Sequence, residues 1–471
     1  MTAPLAPDLC IIGAGSAGLA TAAGAAQMGA EVVLIERGLM GGDCLNFGCV
    51  PSKALLAAAR LADLARRSAA LGITSARPDV DFAAAADGVQ QVIAAIAPND
   101  SAERFERLGV TVLRREARFT GPRTIRVGDI EIRPRRFVIA TGSHPAVPAI
   151  PGLADVPYLT NETIFANRER PEHLIAIGGG PIGIELAQAH CRLGARVTVL
   201  DVGPVLPHDD PELVTRLTDR LADEGIAIRS GVQIAGIERD GGRIIARLAD
   251  GERIAGSHLL VAAGRRPSIE ALDLPAAGIE ATAKGITVDA RLRTSNRRAF
   301  AIGDVAGGPQ FTHIALYHAG IVIRNALFRL PAKVDYRALP WVTYTDPELA
   351  QVGVTETAAR AAGYDAGVLR WPFAENDRAQ TERDTEGLVK IVLGRSGGVL
   401  GASILGAAAG DLILPWALAI SQKLKIGALA NLVVPYPTRG EASKRAAGCY
   451  YTPTLFSPRT RRLVRFLARF G

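Results

Sequence analysis

Residues Gly41–Lys53 read GGDCLNFGCVPSK and place two cysteines, Cys44 and Cys49, in a glycine-rich loop with four residues between them. Pro51 then opens an apolar run rich in alanine and leucine, which predicts a helix because proline is favoured at the first helical position. Cys49 is therefore expected at a helix start, where the helix dipole favours a thiolate.

The spacing of the two cysteines limits how they can form a disulfide. Along a straight helix, five steps separate Cα atoms by about 7.5 Å, beyond the usual disulfide range of about 4.4–6.8 Å. A bridge can close only if Cys44 lies on a bent loop, which the neighbouring glycines allow. We interpret the pair as a reversible Cys44–Cys49 disulfide. The alternatives are two thiols that are close by accident, or half of a zinc site, although the chain has no second cysteine pair.

The composition predicts a globular α/β protein of about two to four domains. The chain has 471 residues, is 48% hydrophobic and 5% aromatic, and contains 50 glycines. No signal peptide is apparent, and the longest apolar run, residues 401–420, is broken by Asp411 and Pro415, so we expect a cytoplasmic protein. In that compartment a close cysteine pair is more often catalytic than structural. The net charge is +7, and because the arginines are mostly dispersed, except at the C-terminus, we do not expect a nucleic-acid partner.

A dinucleotide-binding fingerprint lies near the start of the chain. An apolar strand at residues 9–12 leads into GAGSAG at residues 13–18, then a helix and a second strand that ends in Glu36. Glycines in this pattern let the backbone approach a pyrophosphate at the helix N-terminus, and the acid accepts a ribose hydroxyl. The expected ligands of this first site are Gly13, Gly15, Gly18 and Glu36.

A second fingerprint follows 165 residues later. A strand at residues 174–177 leads into GGGPIG, followed by a helix and a strand that ends in Asp201. The expected ligands are Gly178, Gly180, Gly183 and Asp201. Two such sites favour one flavin and one nicotinamide. A carboxylate at Asp201 favours a free 2′-hydroxyl, so NADH is the expected nucleotide, with NADPH possible through a basic residue such as Arg229.

Three further strands end in small-residue turns. They end in Thr141 and Gly142, in Gly264, and in Asp304, for which a helix N-cap is the simplest structural interpretation. From Trp341 onward the strands and helices suggest another folding unit, with an apolar helix over residues 412–424 and an apolar face that is a candidate dimer interface.

The order and spacing of these motifs resemble the class I flavin disulfide reductases, which include dihydrolipoamide dehydrogenase, glutathione reductase and mercuric reductase. The resemblance covers nearly the full length. It implies an α/β fold with two Rossmann-like dinucleotide-binding domains and a C-terminal α+β dimerisation domain. The expected bounds are residues 1–148 and 271–335 for the FAD-binding domain, 149–270 for the NAD(P)-binding domain and 336–471 for the interface domain.

The resemblance also assigns roles. It implies FAD at the first fingerprint, with Asp304 on the ribityl chain and Lys53, paired with Glu185, near the isoalloxazine. Cys49 would lie against the flavin as the charge-transfer thiolate, and Cys44 would face the substrate. Further cofactor contacts are expected at Gly42, Thr141, Gly142 and Gly264, and no metal site is expected. In the implied homodimer, the acid/base residue comes from the partner subunit.

The acid/base motif departs from the family. Thiol-handling members have His-Pro-Thr-x-x-Glu, whereas this chain has Tyr436 in the histidine position and keeps Glu441. Tyrosine, with a pKa near 10, is a poor base at neutral pH. A structural interpretation is a core phenol that bonds to Glu441. Asp43 also departs, since many relatives have threonine there, and a carboxylate beside Cys44 disfavours its thiolate unless it points elsewhere.

The leading hypothesis is an FAD-dependent oxidoreductase that passes electrons from NAD(P)H through Cys44–Cys49 to a disulfide or a soft metal ion. Tyr436 resembles mercuric reductase, but the vicinal C-terminal cysteines of that family are missing, and Cys449 stands alone. Dihydrolipoamide dehydrogenase, and an electron-relay flavoprotein with a regulatory disulfide, are the alternatives. The basic amphipathic tail, residues 459–470, could touch a membrane surface, but we favour its packing on its own subunit or on the partner.

Overall fold

The computed structural model describes residues 4–74 and 78–470, and the chain divides into two compact units. The first unit consists of Met1–Ala59, Asp79–Leu200 and Val232–Val334, and the second of Arg60–Pro78, Asp201–Gly231 and Asp335–Gly471. The domain bounds expected from the sequence remain a prediction.

A five-stranded parallel sheet in the first unit carries the first glycine turn. Its strand order is Ala299–Ala301, Arg136–Ile139, Leu9–Ile12, Val32–Ile35 and Thr111–Leu113. The central strands are apolar without alternation because both faces of the sheet are covered. Helix Ser16–Gln27 packs on helix Thr312–Ala326, and Gly24 permits the close approach, since a Cβ there would lie 2.7 Å from Ile323 Cδ1.

A second parallel sheet carries the second glycine turn. Strand His173–Ile177 lies between Arg196–Asp201 and His258–Val261, and helix Pro181–Arg192 follows the turn. The other strands of the first unit are antiparallel: Ala117–Gly121, Thr124–Val127 and Ile130–Ile132; Ile234–Asp240, Arg243–Leu248 and Arg253–Gly256; Ser143–Pro145 with Arg265–Pro267; and Ala281–Thr282 with Gly285–Ile286. Its other helices are Gly42–Asn46, Phe82–Ile96, Ala102–Arg107 and the first part of Cys49–Arg67.

The second unit is built on a five-stranded antiparallel sheet. Its order is Pro340–Thr343, Glu348–Gly353, Val399–Gly406, Leu388–Leu393 and Gly367–Pro372. Trp416 and Phe373 are fully buried in the core of this unit. The remaining elements are helix Pro211–Asp223 and strand Ile226–Ser230, then the helices Glu356–Ala361, Asp377–Thr381, Ala409–Leu412, Leu414–Ser421, Ile426–Ala430, Glu441–Gly448, Thr452–Leu455 and Pro458–Leu467.

The structure confirms the predicted fold class and corrects two element bounds. The helix expected over residues 412–424 is the shorter helix Leu414–Ser421, with Pro415, which has no N–H to donate, at its start, and a separate short helix, Ala409–Leu412, precedes it. The helix after the cysteine loop begins at Cys49, two residues before Pro51. Across residues 4–74 and 78–470, every helix is too short or too polar to cross a membrane.

Candidate functional site

The first glycine turn is closed on one side and open on the other. A Cβ on Gly18 would lie 1.8 Å from Gly13 O, and one on Gly13 would lie 2.4 Å from Ala140 O, so both positions require glycine. Gly15 faces open space except for Gly42 Cα at 3.8 Å. The Glu36 carboxylate accepts hydrogen bonds from Ala14 N and Gly38 N, both at 2.6 Å, and so fixes the turn.

The second glycine turn repeats this geometry. A Cβ on Gly183 would lie 1.9 Å from Gly178 O, whereas nothing lies within 4 Å of one built on Gly180. Asp201 Oδ1 accepts a hydrogen bond from Gly203 N at 2.7 Å, as Glu36 does from Gly38. In both turns the open glycine is the N-cap of a helix and has no side-chain cap. An open backbone at a helix N-terminus fits a pyrophosphate, which supports the assignment of two dinucleotide sites.

The cysteine loop brings Cys44 and Cys49 together across a break between two helices. Gly41 and Gly42 have φ of 86° and 60°, which favour glycine, and they start the short helix Gly42–Asn46. Cys44 therefore lies in a helical turn rather than in the bent loop that the sequence suggested. Phe47 and Gly48 then redirect the chain before Cys49, whose Sγ lies 3.3 Å from Thr312 Oγ1. Both cysteines are thiols in this structure.

The pKa values of the two thiols are shifted in opposite directions. A hydrogen bond from Cys44 lowers the pKa of Cys49 to about 6, from an ordinary value near 9, and Thr312 and the Lys53 charge act in the same direction against partial burial. The same bond, with burial, raises the pKa of Cys44 well above its ordinary value. At neutral pH the reduced pair therefore carries one thiolate, on Cys49, and one thiol, on Cys44.

An ion pair supports the positive charge beside Cys49. Lys53 Nζ lies 2.8 Å from Glu185 Oε2, and the Glu185 side chain is only 6% exposed. Because Lys53 lies one helical turn after Cys49, the buried carboxylate keeps the ammonium group close to the thiolate. The predicted Lys53–Glu185 pair is thus present in the structure.

Arg265 connects two carboxylates, and the sequence reasoning missed its role. Its Nη2 lies 3.1 Å from Asp43 Oδ1, and its Nε donates to Ser143 Oγ at 2.7 Å. The Ser143 hydroxyl donates to Asp304 Oδ2 at 2.5 Å. Asn161 Nδ2 also donates to Asp43, at 3.0 Å. The signal that could have indicated a cationic partner is Asp43 itself, because a carboxylate beside a redox cysteine disfavours the thiolate unless a positive charge offsets it.

Asp304 lies in a turn after its strand and does not cap the next helix, whose N-cap is Phe311. Burial raises the pKa of Asp304, and the Ser143 hydrogen bond and the Arg265 charge oppose that rise. Thr141 Oγ1 donates to Ser268 O at 2.7 Å. The backbone φ of Gly142 is 68° and that of Gly264 is 119°, and Gly142 has open space around it.

The acid/base candidates lie in the second unit. Tyr436 is 68% exposed and its hydroxyl donates to Asp377 Oδ2 at 2.8 Å. Glu441 instead accepts from Arg445 Nη2 at 2.9 Å. The interpretation of a core phenol bonded to Glu441 is therefore wrong, because the tyrosine is exposed and has a different carboxylate partner. The hydrogen bond to Asp377 raises the pKa of Tyr436.

Comparison with known proteins gives matches along nearly the whole chain. Residues 7–319 match the family profile "Pyridine nucleotide-disulphide oxidoreductase", and residues 339–447 match the dimerisation domain of the same family. A mercuric reductase of Streptomyces lividans is 37% identical over 93% of this chain and 95% of its own length. A dihydrolipoyl dehydrogenase of Bacillus subtilis (strain 168) is 34% identical over 94% of this chain and 96% of its own length.

A solved structure has the same fold. It is the Cu(II) complex of the HOCl-induced flavoprotein disulfide reductase RclA from Escherichia coli, with a TM-score of 0.85 and 29% identity over 93% of this chain and 98% of that chain.

Proposed function

The chain belongs to the pyridine nucleotide-disulphide oxidoreductases, and from this membership we propose that Cys44 and Cys49 form its redox-active disulfide and reduce a soft metal ion. The enzyme depends on FAD and draws electrons from NAD(P)H. The observation that carries the proposal is the hydrogen-bonded thiol pair with opposite shifts in pKa.

Each cofactor has a matching set of residues. The first glycine turn with Glu36 and Asp304 would hold FAD, and the second turn with Asp201 would hold the nicotinamide nucleotide. When bound, FAD takes a hydride from NAD(P)H and makes two electrons available to a disulfide. A lower KM for NADH than for NADPH is expected, because the Asp201 carboxylate repels a 2′-phosphate.

Reduction of the disulfide leaves the two cysteines in different protonation states. Two electrons break the S–S bond and leave two sulfur anions, of which one takes a proton. The acidities assign the proton to Cys44 and the remaining thiolate to Cys49. Lys53 stabilises that thiolate, and Glu185 keeps Lys53 in place.

The proton on Cys44 favours a metal ion over a disulfide as the acceptor. Attack on a disulfide needs the thiolate, and Tyr436, with its raised pKa, is a poor base for removing the proton. A soft metal ion displaces the thiol proton when it binds. The relatives include a mercuric reductase and a reductase solved with Cu(II), which supports this class of acceptor.

The test is a comparison of acceptors with anaerobic enzyme and NADH. Mercuric and cupric ions, lipoamide, glutathione disulfide and a quinone are supplied in turn, and NADH oxidation is followed. We expect the metal ions to be reduced and lipoamide to be a poor acceptor. Fast turnover of lipoamide, with little of either metal, would instead identify a dihydrolipoamide dehydrogenase.

Two cysteine variants provide the control for this comparison. Cys49→Ser and Cys44→Ser keep FAD but remove the disulfide, so both should abolish the reduction of metal ions and of disulfides. Unchanged metal reduction in these variants would show that electrons leave the enzyme elsewhere, as in an electron-relay flavoprotein.

A further inference from the structure

The apolar side of the last helix in the described chain is exposed to solvent. Helix Pro458–Leu467 begins with Ser457, whose hydroxyl accepts from Thr460 N at 3.2 Å, and no residue of the helix is buried. The dimerisation profile of the family ends at residue 447, so this helix lies outside it. Packing on the helix's own subunit, one of the two arrangements favoured from the sequence, is therefore wrong.

The exposed helix has two distinct faces. Leu463, Phe466, Leu467 and Phe470 follow the i, i+3, i+4, i+7 spacing of one helical face, and each is at least 53% exposed. The rings of Phe466 and Phe470 lie 5.2 Å apart on that face. The opposite side carries arginines at positions 461, 462, 465 and 469.

The charge of the molecule is concentrated in this region. The last 30 residues contain seven of the 54 Lys and Arg and none of the 47 Asp and Glu, so the whole net charge of +7 lies there. The remaining 441 residues have equal numbers of basic and acidic side chains. A second copy of the chain therefore offers no net negative charge to this helix, and its own tail would repel it.

We propose that Pro458–Leu467, with Phe470, docks the enzyme on the surface of an anionic phospholipid bilayer. A helix with arginines on one face and phenylalanine and leucine on the other lies in the plane of the lipid headgroups, with its apolar face toward the acyl chains. Such a surface provides both the negative charge and the apolar environment that the two faces require. The helix is far too short to cross the bilayer.

Flotation of the full-length holoenzyme with lipid vesicles tests the proposal. We expect binding to vesicles of phosphatidylcholine and phosphatidylglycerol in equal amounts, and little binding to phosphatidylcholine alone. Each basic residue near an anionic surface is worth roughly a fivefold change in partition. The variant R461Q/R462Q/R465Q/R469Q should therefore lose at least tenfold in binding, and L463S/F466S/F470S should lose binding as well.

A matched control separates the tail from overall charge. R123Q/R239Q/R297Q/R395Q removes the same number of exposed arginines from other parts of the chain and should bind vesicles as the wild type does. All variants should keep their FAD and their NADH oxidation, which shows that they fold.

Two results would overturn the proposal. The first is equal loss of binding in the control and in the tail variants. The second is vesicle binding that is absent in the wild type or unchanged by the tail variants. If the tail variants instead dissociate the dimer in sedimentation, the helix packs on the partner subunit.

Discussion

Asp43 is the residue whose charge most directly opposes the Cys49 thiolate from within the same loop. Its carboxylate raises the pKa of Cys49, and Arg265, 3.1 Å away, neutralises part of that charge. Arg265→Gln should therefore raise the pKa of Cys49 by roughly one unit. The ultraviolet absorbance of the thiolate in the reduced protein, followed against pH, measures the shift.

Substitution of Asp43 should shift the pKa of Cys49 in the opposite direction. Asp43→Asn removes the negative charge and should lower the pKa of Cys49. The double variant with Arg265→Gln should have a pKa close to that of Asp43→Asn, because without the Asp43 charge the loss of Arg265 has no further effect. Independent, additive shifts from the two substitutions would show that the Arg265–Asp43 contact does not control the thiol.

The pH dependence of alkylation follows from the acidity of Cys49. Its pKa is lowered to about 6, so the reduced enzyme should react with iodoacetamide at a rate that rises as the pH increases through 6 and is level at neutral pH. Cys44→Ala removes the hydrogen bond that lowers the pKa most, so in this variant the midpoint should move toward 9. A midpoint that stays near 6 would assign the shift to Thr312 and Lys53 instead.

We expect Tyr436 to influence which acceptors can take electrons. Histidine titrates near pH 6.5 and can remove the Cys44 proton at neutral pH, whereas the phenol bonded to Asp377 cannot. Tyr436→His should therefore raise lipoamide turnover by roughly tenfold or more. Tyr436→Phe is the control and should leave that turnover low; a rise in both variants would point to a steric effect.

For individual residues, the sequence predicted which residues belong to the site better than it predicted which side chains contact each other. The Lys53–Glu185 pair was expected because the family motifs contain both residues, and it is present at 2.8 Å. The partners of Asp43 and Tyr436 were not expected, because Arg265 and Asp377 lie 222 and 59 residues away along the chain. Only folding brings such residues together, and no local pattern records the contact.

The glycine turns are the elements in which sequence spacing and geometry agree most closely. Gly183→Ala places a methyl group 1.9 Å from Gly178 O and should cost about 1–3 kcal/mol of stability. Gly180→Ala meets open space and should cost less than about 1 kcal/mol, but it should raise the KM for NADH because the methyl group points toward the expected pyrophosphate. Denaturant unfolding and steady-state kinetics measure the two effects, and equal stability losses would contradict this division.

The sequence indicated where helices and strands occur when a recognisable motif accompanied them. It was less informative about the residues at which a helix begins or ends. The strands at residues 9–12 and 174–177 were recognised because a glycine turn follows each of them. The helix break near Ile413 was missed because residues 412–420 are apolar throughout, and apolarity alone does not show where the hydrogen-bond ladder is interrupted by Pro415.

The predicted site residues are distributed over both folding units. The cysteine pair and both glycine turns belong to the first unit, whereas Tyr436 and Glu441 belong to the second, which contains the dimerisation domain of the family. The repeated fingerprint indicated two dinucleotide-binding regions and the α/β class, but the residues alone do not show which subunit supplies each residue to a shared site. That assignment requires an experiment on mixed dimers.

Hybrid dimers test which subunit supplies residue 436 to a cysteine pair. The test uses the higher turnover expected for Tyr436→His. Wild-type chains are mixed with chains that carry both Tyr436→His and Cys49→Ser, and the hybrid is isolated with two affinity tags. The wild-type dimer has cysteines but no histidine, and the double-variant dimer has histidines but no working cysteine pair, so both should turn over lipoamide slowly. If the partner subunit supplies residue 436, the hybrid contains one site with both groups and should exceed both parents. A hybrid no faster than its parents would assign Tyr436 to the same subunit as the cysteines it serves, or to neither site.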